Sequence, residues 1–270
     1  MNEHFILLDD IPYGTHRRQK VDILIPNNPV SVAGIILFIH GGGWTQGDKS
    51  GHYHDAKILC EQGYICATMN YRYVSENVNV FDELEDITSA LKVIKKTCGE
   101  WGFNIEKLLL SGGSAGSHLA LLYAYTKKDE SPITPVAACV YCPPVDCAKP
   151  DFLMGISGEF EDWKYGVLSK CCGVVINKTN LLKEPCQTAL KKISPMEYVS
   201  ENCVPTVVFQ GEQDKIVPFS QVKDFMGLLD EKGVENHFLI FNNSDHALDK
   251  DPACMAESKN IIKQYAEKYF

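Results

Sequence analysis

A chain of 270 residues, 45% hydrophobic and 23% charged, is long enough for one large α/β domain or two small ones and has the composition of an ordinary globular protein. Its formal net charge of −9 argues against nucleic acid or an anionic membrane as a partner. No apolar run approaches the length that crosses a bilayer, and the first ten residues, with Glu3, Asp9 and Asp10 and no basic stretch before an apolar one, do not resemble a secretory signal, so the chain reads as cytoplasmic.

Residues 4–8 and 19–25 read as an opening pair of strands around the turn-forming Ile11-Pro12-Tyr13-Gly14. Residues 34–39 are continuously apolar, the pattern of a strand covered on both faces. They run into His40-Gly41-Gly42-Gly43-Trp44. Three glycines directly after a buried strand let the backbone approach a ligand closely and turn its N–H groups inward. A helix is expected over about 51–63, then a buried strand over 64–69 followed by Asn70-Tyr71-Arg72. Residues 81–96 carry Leu84, Ile87, Leu91 and Ile94 at offsets of three and four, which predicts an amphipathic helix. Leu108 to Leu110 form another buried run, followed by Gly112-Gly113-Ser114-Ala115-Gly116 and a helical pattern over 115–125. Residues 136–141 continue as a strand. This alternation predicts a mostly parallel sheet with helices on both faces.

Cys139 and Cys142 have Cys-x-x-Cys spacing, but an odd offset within a strand should point them to opposite faces. The alternation then stops. Residues 146–198 read as an insertion over the mouth of a site, a partial lid within a single domain covering 1–270. Its Phe152, Met154, Phe160, Trp163 and Tyr165 are expected to form a small core more readily than a substrate platform. Cys171-Cys172 falls in an expected loop and is the best candidate for reactive thiols among eleven cysteines otherwise read as reduced core residues. Alternation returns with a strand over 205–210, Gly211-Glu212-Gln213-Asp214, a helix over 219–232, a strand over 237–241, a polar loop to His246 and a terminal helix over 252–269.

The chemistry is carried by the corner at Ser114. A strand that turns at once into a helix holds its corner residue in strained backbone geometry, lifts the hydroxyl clear of the sheet, and sets it at a helix N-terminus that favours negative charge. A serine needs a base to take its proton, and an imidazole base works better when a carboxylate fixes its tautomer. In a parallel sheet these groups belong on loops at the carboxyl ends of strands. Ser114, Asp214 and His246 each follow a strand, in the chain order expected for this sheet type. Of the eight histidines, only His246 combines a post-strand loop with that order. Asp245 and Glu212 are rivals to Asp214 as the acid. His40, which precedes the glycines, is read as holding their loop in place. Beside such a serine, the amides of that loop could complete an oxyanion hole.

Together, His40-Gly41-Gly42-Gly43-Trp44, Asn70-Tyr71-Arg72, Gly112-Gly113-Ser114-Ala115-Gly116 and Gly211-x-x-Asp214 resemble an α/β-hydrolase esterase of the hormone-sensitive-lipase and carbohydrate-esterase-like branch. The resemblance runs from about residue 34 to the C-terminus. It implies an α/β-hydrolase fold and an oxyanion hole from the amides of Gly42, Gly43 and Ala115. Trp44 and His118 are expected on the substrate side of the site, His118 one helical turn beyond Ser114 and pointing back along the helix. The resemblance implies a cofactor-free, metal-free serine hydrolase acting on small-acyl esters, similar in its motifs to feruloyl and xylan acetyl esterases and to arylformamidases. Amide or peptide hydrolysis on the same triad is the alternative, and a binding protein on an idle scaffold is a third. The expected partner is a small-molecule ester, with acylated sugars in view, and the oligomeric state, monomer or dimer, stays open. Ser117 departs from the glycine often found at that position of the motif.

Overall fold

The sheet is built from β1 (Phe5–Pro12), β2 (Lys20–Pro26), β3 (Gly34–Ile39), β4 (Ile65–Asn70), β5 (Lys107–Gly113), β6 (Thr134–Tyr141), β7 (Thr206–Gly211) and β8 (Asn236–Phe241). Their spatial order is β1-β2-β4-β3-β5-β6-β7-β8. β2 runs antiparallel to both β1 and β4, and every other neighbouring pair is parallel. The computed structural model describes residues 5–153, 156 and 161–270. His4, Met154 and Phe160 lie outside the described residues.

Side-chain alternation explains why the central strands are apolar throughout. On β3, Ile35, Leu37 and Ile39 enter one core while Ile36 and Phe38 enter a second on the opposite face. On β5, Leu108 and Leu110 join the first core and Leu109 the second. The first is closed by α2 (Val80–Glu100), α3 (Ala115–Thr126) and α6 (Phe219–Glu231), the second by α1 (Tyr53–Glu61) and α7 (Pro252–Tyr269). α2 starts where it does because Asn79 caps it. The Asn79 Oδ1 accepts from the Phe81 amide at 2.8 Å, and the Asp82 carboxylate accepts in return from the Asn79 amide at 2.9 Å. Between β6 and β7 lie α4 (Glu161–Cys172) and α5 (Cys186–Lys192). Among the described residues no helix is long and apolar enough to cross a membrane.

Three local expectations need correction. β1 does not stop at Leu8 but continues to Pro12 through a register shift between Leu8 and Ile11. Asp10, at φ 52°, makes the kink, and its amide donates to the Asp22 carboxylate at 2.7 Å. Cys139 and Cys142 do not face apart. The strand ends at Tyr141, Cys142 turns with φ 48°, and both thiols enter the same core. Cys171 and Cys172 are the last residues of α4 rather than a loop. Burial pushes both thiols up, Cys171 well above the usual range, so neither is poised to react.

Candidate active site

Ser114 sits between the end of β5 and the first residue of α3 with φ 52° and ψ −118°. Two close approaches hold that corner. A Cβ on Gly116 would collide with the Ile39 and His40 carbonyls, and one on Gly112 with the Ile39 carbonyl and the Gly116 backbone. The end of β3 therefore passes directly against the corner. The Ser114 amide is tied across the sheet to the Tyr141 carbonyl at 2.8 Å. Ser117, in the position where the motif often has glycine, is buried and donates to the Gly112 or the Tyr141 carbonyl, at 2.6 and 2.7 Å, so it braces the corner from behind.

Three strand ends bring the predicted groups together. Asp214 has no exposed side-chain surface, and its carboxylate is surrounded by donors. The amides of Ile216 and Val217 reach Oδ1 at 2.8 and 2.9 Å, and Gln210 Nε2 reaches Oδ2 at 3.0 Å. His246 Nδ1 meets that same Oδ2 at 2.7 Å. With its Nδ1 proton held there, the ring presents the Nε2 lone pair to the Ser114 hydroxyl, 2.9 Å away. The two rival acids are elsewhere. Asp245 turns outward to Lys250 at 2.9 Å, and Glu212 is exposed.

The glycine loop is set by His40 and by Arg18, a residue that no motif singles out. His40 Nδ1 donates to the Gly41 carbonyl at 2.7 Å, and Nε2 accepts from the Arg18 guanidinium at 3.0 Å. Burial, with the Arg18 charge adding, pushes the His40 imidazole down to about 4. Arg18 also donates to the carbonyls of Tyr71 and Gly47 and to Asn70 Oδ1, and lies over the Tyr73 ring. Gly42 and Gly43 then turn with φ 116° and 56°. As the first residue of α3, Ala115 has an amide with no acceptor inside the helix.

Ser114 and His246 lie between two pockets. The first, about 290 Å³, is walled by Gly42, Gly43, Trp44 and Val217 and by Phe152 and Trp163 of the segment between β6 and β7. Phe152 is at once part of the main core and part of this wall, whereas Trp163 is 39% exposed. The second, about 370 Å³, is bounded by Tyr141, Leu248 and Met255 and carries His52, Asp55 and Lys259. These last three come from the turn before α1, from α1 and from α7, elements with no shared sequence pattern, and only the fold joins them. His118 does not face either pocket, contrary to the expectation that it would contact substrate. It has no exposed surface, its Nδ1 accepts from Trp44 Nε1 at 3.2 Å, and its Nε2 donates to the Ile193 carbonyl at 2.6 Å. It positions Trp44. Burial pushes its imidazole down to about 4.

Among the described residues, the group whose side chains could share a metal ion is Cys142, Asp214 and His246. Two of its three ligand atoms are already bonded to each other, and burial together with the Asp214 charge keeps the Cys142 thiol protonated.

A family model described as BD-FAE matches residues 21–229. The chain is 29% identical over 234 residues to a probable carboxylic ester hydrolase, LipM, of Mycobacterium tuberculosis, covering 82% of this chain and 51% of that protein. It is 25% identical over 259 residues to a probable isoprenylcysteine alpha-carbonyl methylesterase of Oryza sativa, covering 89% and 58%. The chain thus spans little more than half the length of these curated relatives. Among solved structures, esterase B of Lactobacillus rhamnosis superposes with a TM-score of 0.78 at 19% identity, over 98% of this chain and 86% of that one. That likeness bears on the fold, which is the α/β-hydrolase fold.

Proposed function

The chain belongs to the BD-FAE family, and on that footing we propose that it is a serine carboxylesterase that cleaves small-acyl esters through an acyl-enzyme intermediate. The observation that carries the proposal is the unbroken line from Asp214 Oδ2 through His246 to Ser114 Oγ, at 2.7 and 2.9 Å. Support comes also from the names of the relatives, which are ester hydrolases.

Ser114 Oγ attacks the ester carbonyl carbon, and its proton passes to His246 Nε2. The charge that develops on the carbonyl oxygen is taken by the amides of Gly42, Gly43 and Ala115. Asp214 stays ionised and stabilises the imidazolium. As the tetrahedral intermediate collapses, the Nε2 proton goes to the departing alkoxide, which leaves as the alcohol. Water then repeats the sequence on the acyl-serine, with His246 as base, and releases the carboxylic acid and free Ser114.

The apolar pocket beside Trp44 holds one half of the ester, and the segment between β6 and β7 acts as a partial lid over it. Acetyl and feruloyl esters of carbohydrates are the substrate class to assay first. All eleven cysteines are free thiols, which suits work in a reducing compartment. Replacing Ser114 by Ala tests the assignment: hydrolysis of 4-nitrophenyl acetate and labelling by a fluorophosphonate should both vanish while the folded signal persists. Turnover at the original rate would refute it.

A further inference from the structure

The second pocket beside Ser114 has a charged corner that the catalytic steps do not use. Lys259 Nζ donates to Asp55 Oδ1 at 2.7 Å and to the Tyr141 hydroxyl at 3.1 Å. Its side chain is 14% exposed, that of Asp55 18% and that of His52 16%, so all three are largely enclosed yet open to the pocket. Burial alone would raise the Asp55 carboxyl, but the hydrogen bond from His52 and the Lys259 charge outweigh it and hold it down to about 2. Asp55 is therefore a carboxylate and can only accept. It accepts from His52 Nδ1, 3.0 Å away, so the tautomer with its single proton on Nδ1 has Nε2 as an acceptor. Nε2 lies close to Gly113, next to Ser114, in the lining of the pocket: a Cβ built on that glycine would lie 3.4 Å from it.

An ammonium has three N–H donors, and two of those on Lys259 are engaged. The corner therefore offers one remaining donor, from Lys259, and one acceptor, from His52. The Lys259 and Asp55 charges cancel, so a bare carboxylate gains little there and would meet the His52 lone pair. A hydroxyl both donates and accepts, so it matches a corner that presents one group of each kind.

Resting on the esterase assignment, we propose that this pocket is the subsite for an ester half that carries a free aliphatic hydroxyl, read by Lys259 as donor and His52 as acceptor. Such a site discriminates against an otherwise matched ester lacking the hydroxyl, because the substrate then leaves buried polar groups unpaired. The hydroxyl can stand on the alcohol half or the acyl half, and matched pairs separate these sources. In 2-hydroxyethyl butyrate against propyl butyrate, hydroxyl replaces methyl on the alcohol. In ethyl 3-hydroxybutyrate against ethyl 3-methylbutanoate, it does so on the acyl chain. Each kcat/KM is divided by the ester's hydroxide-catalysed rate to remove intrinsic reactivity.

One pair should show a preference for the hydroxylated member of about tenfold with the unaltered protein, the pocket being partly open to water. In Lys259→Met and His52→Phe that preference should fall to about one, and in Lys259→Arg part of it should return. Equal kcat/KM within both pairs for the unaltered protein would overturn the subsite while leaving the esterase assignment intact. Absence of hydrolysis of all four esters would overturn both. A Lys259→Met protein that keeps the full preference would also overturn the subsite. Should that variant fail to fold, the ratio in the unaltered protein still decides.

Discussion

The Arg18 guanidinium lies 3.0 Å from His40 Nε2, so a residue of the turn between β1 and β2, at one edge of the sheet, reaches the glycine loop beside Ser114. The contact joins the antiparallel edge of the sheet to the centre of the parallel part. Arg18→Ala removes donors to the Tyr71 and Gly47 carbonyls, to Asn70 and to His40. It leaves the loop free to drift, and misplacement of an oxyanion donor is felt in the transition state more than in substrate binding. The expected outcome is a fall in kcat of about tenfold or more with KM nearly unchanged. Steady-state kinetics on 4-nitrophenyl acetate separate the two constants, and a rise in KM alone would mean that the loop does not depend on Arg18.

Asp214→Asn changes one atom in the buried cluster. The Ile216 and Val217 amides can still donate to the remaining oxygen. The new amide, facing His246 Nδ1, donates where the carboxylate accepted and selects the ring tautomer whose Nε2 carries the proton. In the proposed mechanism Ser114 then loses its base. A loss of about 10³ to 10⁴-fold in kcat is expected, with a modest fall in melting temperature because the new amide also faces Gln210 Nε2, a donor. Retained activity would point to a different acid.

Gly116→Ala places a methyl against the Ile39 and His40 carbonyls, backbone atoms that cannot rotate away. The strand and helix must separate, and overpacking of this kind costs roughly 1–3 kcal/mol or more. Urea unfolding should show the loss, and the Ser114 hydroxyl should lose its reaction with a fluorophosphonate at the same time. A stable variant with normal labelling would show that the crossing has slack.

Two buried imidazoles make stability depend on pH. Burial is the leading cause in both, and each is pushed down from 6.5 to about 4 in the folded protein. Between these values the unfolded chain binds a proton that the folded chain refuses. Their contribution is therefore complete above pH 6.5 and is lost as pH falls towards 4. Each adds a slope of about 1.4 kcal/mol per pH unit within that window. His118→Asn, whose side-chain oxygen can still accept from Trp44, should flatten the dependence between pH 6.5 and 4 by one group. Chemical denaturation at half-unit steps checks this, and an unchanged slope would place the titration elsewhere.

Much of this was legible along the chain, for reasons that are local. Continuous apolar runs such as Ile35 to Ile39 announce strands that feed two cores, and the glycines around Ser114 announce a crossing too tight for a side chain. Asp214 and His246 could be selected because each follows a strand. What stayed hidden depends on contacts between distant segments or on single backbone angles. Arg18 has no sequence mark that distinguishes it from Arg17. His52, Asp55 and Lys259 meet only because α1 and α7 cover the same face of the sheet. His118 sits one turn after Ser114, yet the helix aims it into the core. The positive φ of Cys142 defeats a face assignment that assumes the strand goes on.

The left-handed backbone at Ser114 also limits what the chain can become. A residue branched at Cβ is disfavoured at such an angle, so a threonine there would push the corner open before any question of reactivity arose. Unbranched side chains such as alanine or cysteine meet no such penalty. Heritable change at this position is thus channelled towards silencing the hydroxyl or exchanging it for a thiol, while threonine is disfavoured by geometry.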